Sequence, residues 1–310
     1  MSKLLFWSPY HGQGQTCNLH VIALIMGLLY KKSVLMMQTH FRNNNLEGPL
    51  VGCNVDTEGE GDAIFQEIGL DMAVTYSRMN KINTRTLTSC CLTFPDTPML
   101  LLPGTQAVCK ETFDRDIAKE VYRLVREADE CVDFVLIDSN SGRDRLSMEL
   151  MEGADLIIVN MTQRKHVIHK FFHEYGESFL KSAKVFYLFG DYDDNSSYNI
   201  NNCRRKYSRY LNRSNSGVIP YCTKLMDAQS ESSMLQFMKR GLRTGPETYA
   251  QSNREYGWRR NRRLFLPGPR YHPEETDYFF HRSRLSTDKI IGLLQLPLKR
   301  KQEDDMNEFL

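Results

Sequence analysis

The sequence has 310 residues, of which 41% are hydrophobic and 25% are charged, and its formal net charge is +2. This composition is that of an ordinary globular protein with a substantial buried core. Because the overall charge is nearly balanced, no whole-molecule argument favours nucleic acid or a membrane as partner, and such a partner must be sought in local patches.

The cysteines and the N-terminus predict the cellular compartment. Eight cysteines are scattered without Cys-x-x-Cys pairs, and several lie inside apolar runs, which is typical of reduced, buried thiols. No signal peptide is recognisable, and the longest apolar run, 21–29, is too short to span a bilayer. We therefore expect a soluble cytoplasmic protein, with peripheral attachment at the inner face of the membrane as an open alternative.

Short, continuously apolar runs recur along the first 240 residues. Runs without alternation predict strands that are buried on both faces, as in a parallel sheet. The six runs are residues 4–7, 34–37, 99–102, 134–137, 156–159 and 185–189. Between the third and fourth runs, apolar residues from Phe113 to Ala128 recur at spacings of three and four, which predicts a helix. The alternation predicts an α/β fold with a doubly wound, mostly parallel sheet.

A glycine-rich turn follows the first predicted strand, which ends at Trp7, and a helix is expected from about Cys17. Such a turn presents backbone N–H groups and the positive end of a helix dipole to phosphate. Gly12 and Gly14 permit close approach of a ligand to the backbone. Taken alone, the turn is equally compatible with a tight structural connection.

The end of this turn carries polar residues of a phosphate loop. Thr16 stands where a P-loop hydroxyl would hold Mg²⁺, but Gln15 occupies the place of the lysine that reaches the β- and γ-phosphates. The predicted cofactor-binding residues are Gly12, Gln13, Gly14, Gln15, Thr16 and Cys17.

Further motifs in the sequence favour the phosphate-binding interpretation of this turn. The strand that ends at Asp138 and is followed by Gly142 resembles the Walker B strand and second switch of the MinD/ParA branch of P-loop ATPases. Other stretches that are similar to this family follow in the expected order, at 45–47, 100–104, 154–159 and 218–221. The resemblance covers about residues 1–240 and implies the deviant P-loop ATPase fold of that family.

The resemblance also shows what this sequence lacks. Tyr10 and Gln15 stand at the positions of the family's two lysines, and Gln38 and His40 stand at those of its first-switch acids. The loss of two cations beside a triphosphate removes charge stabilisation that phosphoryl transfer needs, so the resemblance implies weak or absent hydrolysis.

Two polar residues of the family site remain, namely Thr16 and Asp138. The resemblance implies that both hold Mg²⁺, that Asp138 orients the metal or its water, and that ATP or ADP is bound.

Within this family the sequence most resembles the TadZ/CpaE pilus-assembly and localisation branch, whose phosphate loops are often atypical. This implies a spatial or assembly factor that forms a homodimer across its loop face and contacts a partner such as a secretion or pilus-assembly ATPase. Two alternatives remain open, a pseudo-ATPase scaffold that binds no nucleotide and a partitioning ATPase that associates with DNA.

Two polar clusters lie outside the loop. His166, His169 and His173 share one helix face, which is compatible with a metal site but more typical of a solvated or partner-facing surface. The acidic stretch 191–195 lacks the central glycine and terminal glutamate of a calcium loop, and it is more typical of an Asx-stabilised turn. The resemblance would place it near the nucleotide base.

We divide the chain into a nucleotide-binding domain at 1–245 and a basic, aromatic-containing appendage at 246–310 that is expected to be partly disordered. Six arginines lie between 254 and 270 together with Trp258 and Phe265. A solvated tail, a protein-docking segment and a nucleic-acid contact are all compatible with this pattern. The stretch 289–301 resembles an amphipathic membrane foot, although Pro297 opposes that interpretation.

Overall fold

A computed structural model describes residues 2–41, 46–51, 68–107, 109–181, 184–243 and 275–307, and side chains within these ranges except at 180–181 and 295–307. Residue 45 of the predicted stretch 45–47 and the whole arginine-rich stretch 254–270 lie outside the described residues. Every structural statement below concerns the described part of the chain.

One sheet of eight strands forms the centre of the fold, in the order β3-β4-β2-β5-β1-β6-β7-β8. Its strands are β1 Ser2–Trp7, β2 Val34–Gln38, β3 Leu92–Thr93, β4 Met99–Leu102, β5 Phe134–Asp138, β6 Leu156–Met161, β7 Val185–Tyr192 and β8 Ser216–Pro220. All neighbouring strands are parallel except β3 and β4. The prediction of a doubly wound, mostly parallel sheet is therefore confirmed.

The six strands expected from apolar runs are present, and two more were not expected. Strand β3 has only two residues, so it leaves no pattern to recognise. Strand β8 begins with Ser216 and Gly217 and ends at Pro220, a composition that is more typical of a turn than of a buried strand. Its five residues are nevertheless all buried.

Helices cover both faces of the sheet. They are α1 Gln15–Leu28, α2 Gly48–Val51, α3 Leu70–Arg78, α4 Thr84–Ser89, α5 Lys110–Thr112, α6 Ala118–Asp129, α7 Arg145–Gly153, α8 Lys165–Glu174, α9 Gly176–Lys181, α10 Ile200–Lys206, α11 Thr223–Ser230, α12 Met234–Arg243 and α13 Glu275–Asn307. A short π-helical segment, Phe113–Ile117, joins α5 to α6, so the helix predicted from Phe113 to Ala128 is confirmed.

Alternation along the strands divides the core into layers. In β1, Leu4 and Phe6 pack with α1, α12 and α13, whereas Leu5 packs on the opposite face with α3, α6 and α7. Trp7 begins a third cluster, beneath α8, α9 and α10. The carboxyl ends of β1 and β5 lie at the same edge of a sheet that is covered by helices on both faces. In this class of fold, ligands bind at the carboxyl edge of the sheet.

The C-terminal helix α13 packs on the sheet. Phe279, Phe280 and Ile290 belong to the same hydrophobic core as Leu4 and Phe6. These contacts make residues 275–294, which lie in the segment predicted as an appendage, part of the main core.

Polar groups of α13 also complete the edge of the sheet. Ser286 Oγ donates to the carbonyl of Val218 and accepts its N–H, both at 2.8 Å, and Lys289 Nζ donates to Ser216 O at 3.0 Å. Edge strand β8 is thereby covered by a helix. Since Ile290 and Leu294 are buried against the core, they are not available as the membrane foot considered for 289–301. None of the described helices has the length and apolar character required to cross a bilayer.

Candidate phosphate-loop site

The loop between β1 and α1 has the backbone shape of an anion cradle. Gly12 and Gly14 both have positive φ, +73° and +69°, and α1 begins at Gln15 with Gly14 as its left-handed N-cap. A β-carbon at either position would be strained, which explains the two glycines. The helix begins two residues before the predicted start at about Cys17, so its first turn faces the loop.

Gln13 anchors the loop to the neighbouring strand. Its Oε1 accepts hydrogen bonds from the backbone N–H and the hydroxyl of Thr162, at 3.1 and 2.9 Å, and its Nε2 donates to His11 O at 3.2 Å. The side chain is buried. Gln13 therefore shapes the loop through its side chain, and only its backbone faces a ligand site.

The phosphate loop is also tied to the loop after β5, which the sequence predicted as a second switch. Trp7 Nε1 donates to Gly142 O at 2.8 Å, and Ser8 Oγ lies 2.9 Å from Ser141 Oγ. The N–H of Gly142 donates to Ser8 O at 2.9 Å. These bonds hold the two loops side by side.

Asp138, at the end of β5, forms the floor of the site and is fully buried. Gln15 Nε2 donates to Asp138 Oδ1 at 2.6 Å and to Ser139 O at 2.6 Å, and Thr16 Oγ1 donates to Asp138 Oδ2 at 2.6 Å. The structure thus brings together Gln15, Thr16 and Asp138, three of the residues predicted for the site. It does not aim the Gln15 amide at a phosphate, because both of its N–H groups are directed to the floor.

The two first-switch positions have different surroundings. His40 Nε2 lies 3.8 Å from Asp138 Oδ1, so this ring borders the site. Gln38 instead donates from Nε2 to Glu47 Oε1 at 2.9 Å, and the same oxygen accepts the N–H of Gly104 at 2.7 Å. Gln38 and the buried Glu47 therefore cross-link strands and loops and lie outside the ligand site.

Tyr10 occupies the position of the family's signature lysine but supplies no cation. Its hydroxyl donates to Glu174 Oε2 at 3.2 Å, and Lys170 Nζ lies 4.8 Å from the centre of its ring. Burial, together with the Glu174 carboxylate, raises the pKa of Tyr10 to about 12. Tyr10 is consequently a neutral group held on α8.

Cys17 packs against the hydrophobic core. Burial raises the pKa of its thiol to about 12, with a smaller effect from Asp191, so it is a neutral packed side chain. Its predicted role at the cofactor is therefore limited to its backbone in the first turn of α1.

Asp191 is a loop neighbour that sequence reasoning grouped with a turn. A β-carbon built on Gly14 would lie 3.9 Å from Asp191 Oδ2, so this carboxylate borders the phosphate loop. Partial removal of the carboxyl from water raises the pKa of Asp191, and the positive charge of Arg164 opposes that shift. The signal in the sequence was an acid placed directly at the end of a buried strand, at the same edge as the loop.

The rest of the acidic stretch forms an Asx turn, as predicted, because Asp193 Oδ1 accepts the N–H of Asn195 at 2.8 Å. Asp194 accepts from Tyr192, from Tyr278 and from Arg282 of α13. Within the described residues no group of three acidic, histidine or cysteine side chains is arranged to hold a metal. This also applies to the three histidines on α8.

The residues of the floor fit Mg²⁺. The metal prefers oxygen ligands, and the Thr16 hydroxyl and the Asp138 carboxylate converge within hydrogen-bond distance at the start of α1. The donor set fits the nucleotide less completely, since no lysine follows Gly14. The arrangement can therefore cradle phosphate through backbone N–H groups and a metal, with little neutralisation of its charge by side chains.

Solved structures with a similar fold are MinD and ParA ATPases. The cell division ATPase MinD of Pyrococcus furiosus matches with a TM-score of 0.61 at 13% identity, over 94% of this chain and 99% of that one. The septum site-determining protein MinD of Pyrococcus horikoshii OT3, complexed with Mg-ADP, matches with a TM-score of 0.60 at 14% identity, over 94% and 98%. A ParA family ATPase from Chlorobium tepidum TLS matches with a TM-score of 0.59 at 15% identity, over 76% and 91%.

No family model and no curated protein matches the sequence. The structural matches show that the fold of this chain is similar to that of the MinD and ParA ATPases.

Proposed function

We propose that this chain is a MinD/ParA-like nucleotide-binding protein with weak or no ATP hydrolysis. The observation that carries the proposal is the phosphate loop itself. Gly12 and Gly14 curve the backbone at the carboxyl edge of β1, α1 starts at the loop, and Thr16 meets Asp138 at its floor. Backbone N–H groups at a helix start are suited to bind the phosphates of ATP or ADP.

The side chains around this loop support slow chemistry. Gln15 is neutral and directs both N–H groups to Asp138 and Ser139, while Tyr10 is neutral and bonded to Glu174. Phosphoryl transfer depends on cations that stabilise the charge on the transferred group. Thr16 and Asp138 would hold Mg²⁺, and the metal when bound would neutralise part of the phosphate charge.

A nucleotide-free pseudo-ATPase scaffold is the second candidate. It is favoured by the hydrogen bonds that already link Gln15 and Thr16 to Asp138, because these bonds satisfy the floor of the site without a ligand. The third alternative, a DNA-associated partitioning ATPase, depended on the arginines at 254–270, which lie outside the described residues.

The cellular role follows from the resemblance to the TadZ/CpaE branch. We propose that the chain forms a homodimer across the loop face. The dimer acts as a spatial or assembly factor for a Tad-type pilus, and its partner is a secretion or pilus-assembly ATPase. Light scattering with and without ATP tests the dimer, and co-purification with a secretion ATPase tests the partner. A monomer under all nucleotide conditions contradicts the dimer.

Titration calorimetry with ATP and Mg²⁺ tests nucleotide binding, with Thr16→Ala as the comparison. We expect saturable binding that weakens in Thr16→Ala, because the hydroxyl is lost from the metal site, and phosphate release close to the buffer rate. Gln15→Lys supplies a cation next to the phosphates and should strengthen binding about tenfold. No binding at millimolar ATP by the wild type and by Gln15→Lys would refute the proposal in favour of the scaffold.

A further inference from the structure

Two stretches that lie next to each other in the fold carry several cations and no acidic residue. Residues 156–173 contain three lysines and arginines, and residues 195–226 contain six, without one aspartate or glutamate. The whole chain has a net charge of only +2, so the remainder of the sequence is net acidic. Each of these two stretches is therefore net positive.

The fold brings the two stretches together. The first includes α8 except its last residue, Glu174, and the second includes α10, and both helices cover the same hydrophobic cluster. Lys206 of α10 contacts His169 of α8, with 2.8 Å between Nζ and Nε2. We call the surface between these helices the basic groove, which is formed by His169 of α8 and by the residues around Lys206 of α10.

A cavity of about 430 Å³ lies in the basic groove, lined by Ser197, Tyr198, Asn202, Cys203, Arg205 and Lys206. Its polar groups are cations, hydroxyls and an amide, and none is a carboxylate. The two cations contact neutral groups, since Arg205 Nη2 donates to Asn202 Oδ1 at 2.8 Å and Lys206 Nζ donates to His169. Both side chains are exposed, and within the described part of the chain no carboxylate neutralises them.

Aromatic rings form the walls of the groove. The rings of Tyr198 and Tyr207 lie against His169 at 6.4 and 5.7 Å between centroids, and Lys206 Nζ is 5.7 Å from each tyrosine ring. These contacts fix Lys206 in place, which lowers the conformational entropy lost when it binds an anion.

We propose that the basic groove binds an acidic segment of a partner protein. Arginine and lysine at one concave site pair well with carboxylates, and a cavity of this volume accommodates one or two side chains. Carboxylates lie close to the groove: Glu177 pairs at 2.7 Å with Arg209, three residues after Lys206, and Gln163 links the Asp193 turn to Tyr198. A long nucleic-acid backbone would cross these acids, whereas a short acidic segment ends before them.

Fluorescence anisotropy with a labelled decaglutamate peptide tests the proposal on the full chain, with a labelled single-stranded DNA of mixed sequence as a parallel ligand. The double variant Arg205→Glu, Lys206→Glu should raise the Kd of the peptide at least about tenfold. The matched control is Arg85→Glu, Lys119→Glu, which changes net charge equally on exposed residues of α4 and α6. The control should leave the Kd within about twofold.

Equal weakening by both variants would show general electrostatic attraction and overturn the proposal. So would the absence of saturable peptide binding at low salt. Tighter binding of the DNA than of the peptide, lost in the Arg205 and Lys206 variant, would assign the groove to nucleic acid instead. Thermal melting of both variants checks that each remains folded, and the neutral pair Arg205→Gln, Lys206→Gln replaces the first variant if it does not.

A second readout does not depend on any variant. The pKa of His169 is lowered by burial and by the charges of Lys206 and Lys165. An acidic segment in the groove offsets those two cations, so bound peptide should raise the pKa of His169 in an NMR titration. An unchanged His169 titration at saturating peptide places the peptide elsewhere and overturns the proposal.

Discussion

Gln15 Nε2 lies 2.6 Å from Asp138 Oδ1, so the residue in the lysine position of the phosphate loop is hydrogen-bonded to the acid at the floor of the site. The same nitrogen lies 2.6 Å from Ser139 O. A lysine at this position would bring a charge, whereas glutamine brings a neutral amide whose nitrogen donates within the protein. Gln15 therefore contributes to the stability of the fold and also leaves the phosphate loop without a cation at this position.

Gln15→Met should destabilise the protein. The substitution keeps the length of the side chain but removes the donor from buried Asp138 and Ser139, which costs about 1–3 kcal/mol. Urea unfolding measures the change, and Gln106→Met, at an exposed position, is the control with an expected change below about 0.5 kcal/mol. Equal stabilities of the two variants would contradict a structural role for the amide.

Phe279→Ala tests whether α13 belongs to the main core. Phe279 is fully buried against the sheet layer, so its truncation should cost about 3–5 kcal/mol of unfolding free energy. Leu285→Ala on the same helix is the control, because Leu285 is 43% exposed. If Phe279→Ala unfolds at the same denaturant concentration as Leu285→Ala, α13 does not stabilise the domain.

His20 should make stability depend on pH. It is fully buried, its Nε2 is 2.8 Å from Leu46 O, and burial lowers its pKa despite the opposing effects of Leu46 and Asp138. The unfolded chain accepts a proton at about pH 6.5 that the folded chain resists, so stability should fall as the pH decreases below that value. Urea unfolding between pH 7.5 and 5 measures the slope.

The comparison for this pH dependence is His20→Gln, which has no titrating ring. Its stability should change less with pH than that of the wild type over the same range. Parallel curves for the two proteins would show that His20 is not the source of the slope.

Asp191→Asn should strengthen nucleotide binding, provided that the phosphate loop is the ligand site. The Asp191 carboxylate borders Gly14, and its negative charge opposes phosphate. Its removal should lower the Kd for ADP about fivefold. Because the pKa of Asp191 is raised, wild-type affinity should also increase as the pH falls and the carboxyl becomes neutral.

Calorimetry at several pH values measures both effects of Asp191. Asp227→Asn, an exposed acid on α11, is the matched control and should leave the Kd unchanged. A pH dependence that persists in Asp191→Asn would point to another titrating group.

The sequence by itself determined the class of fold and the place of the loop. Continuous apolar runs can be buried only between two layers, so they predicted the central strands of a parallel sheet. Gly12 and Gly14 marked a backbone with positive φ, and Asp138 marked the end of the neighbouring strand. These features are local, and short-range sterics and burial are enough to specify them.

Only the tertiary structure decided which groups the polar residues meet. The partner of Gln15 is 123 residues away, so no local pattern shows that its amide is directed to Asp138. The core role of α13 and the basic groove between α8 and α10 likewise depend on contacts between distant segments. The sequence specifies the chemistry of each side chain. Its hydrogen-bond partners and its burial are decided only when the fold brings distant segments of the chain together.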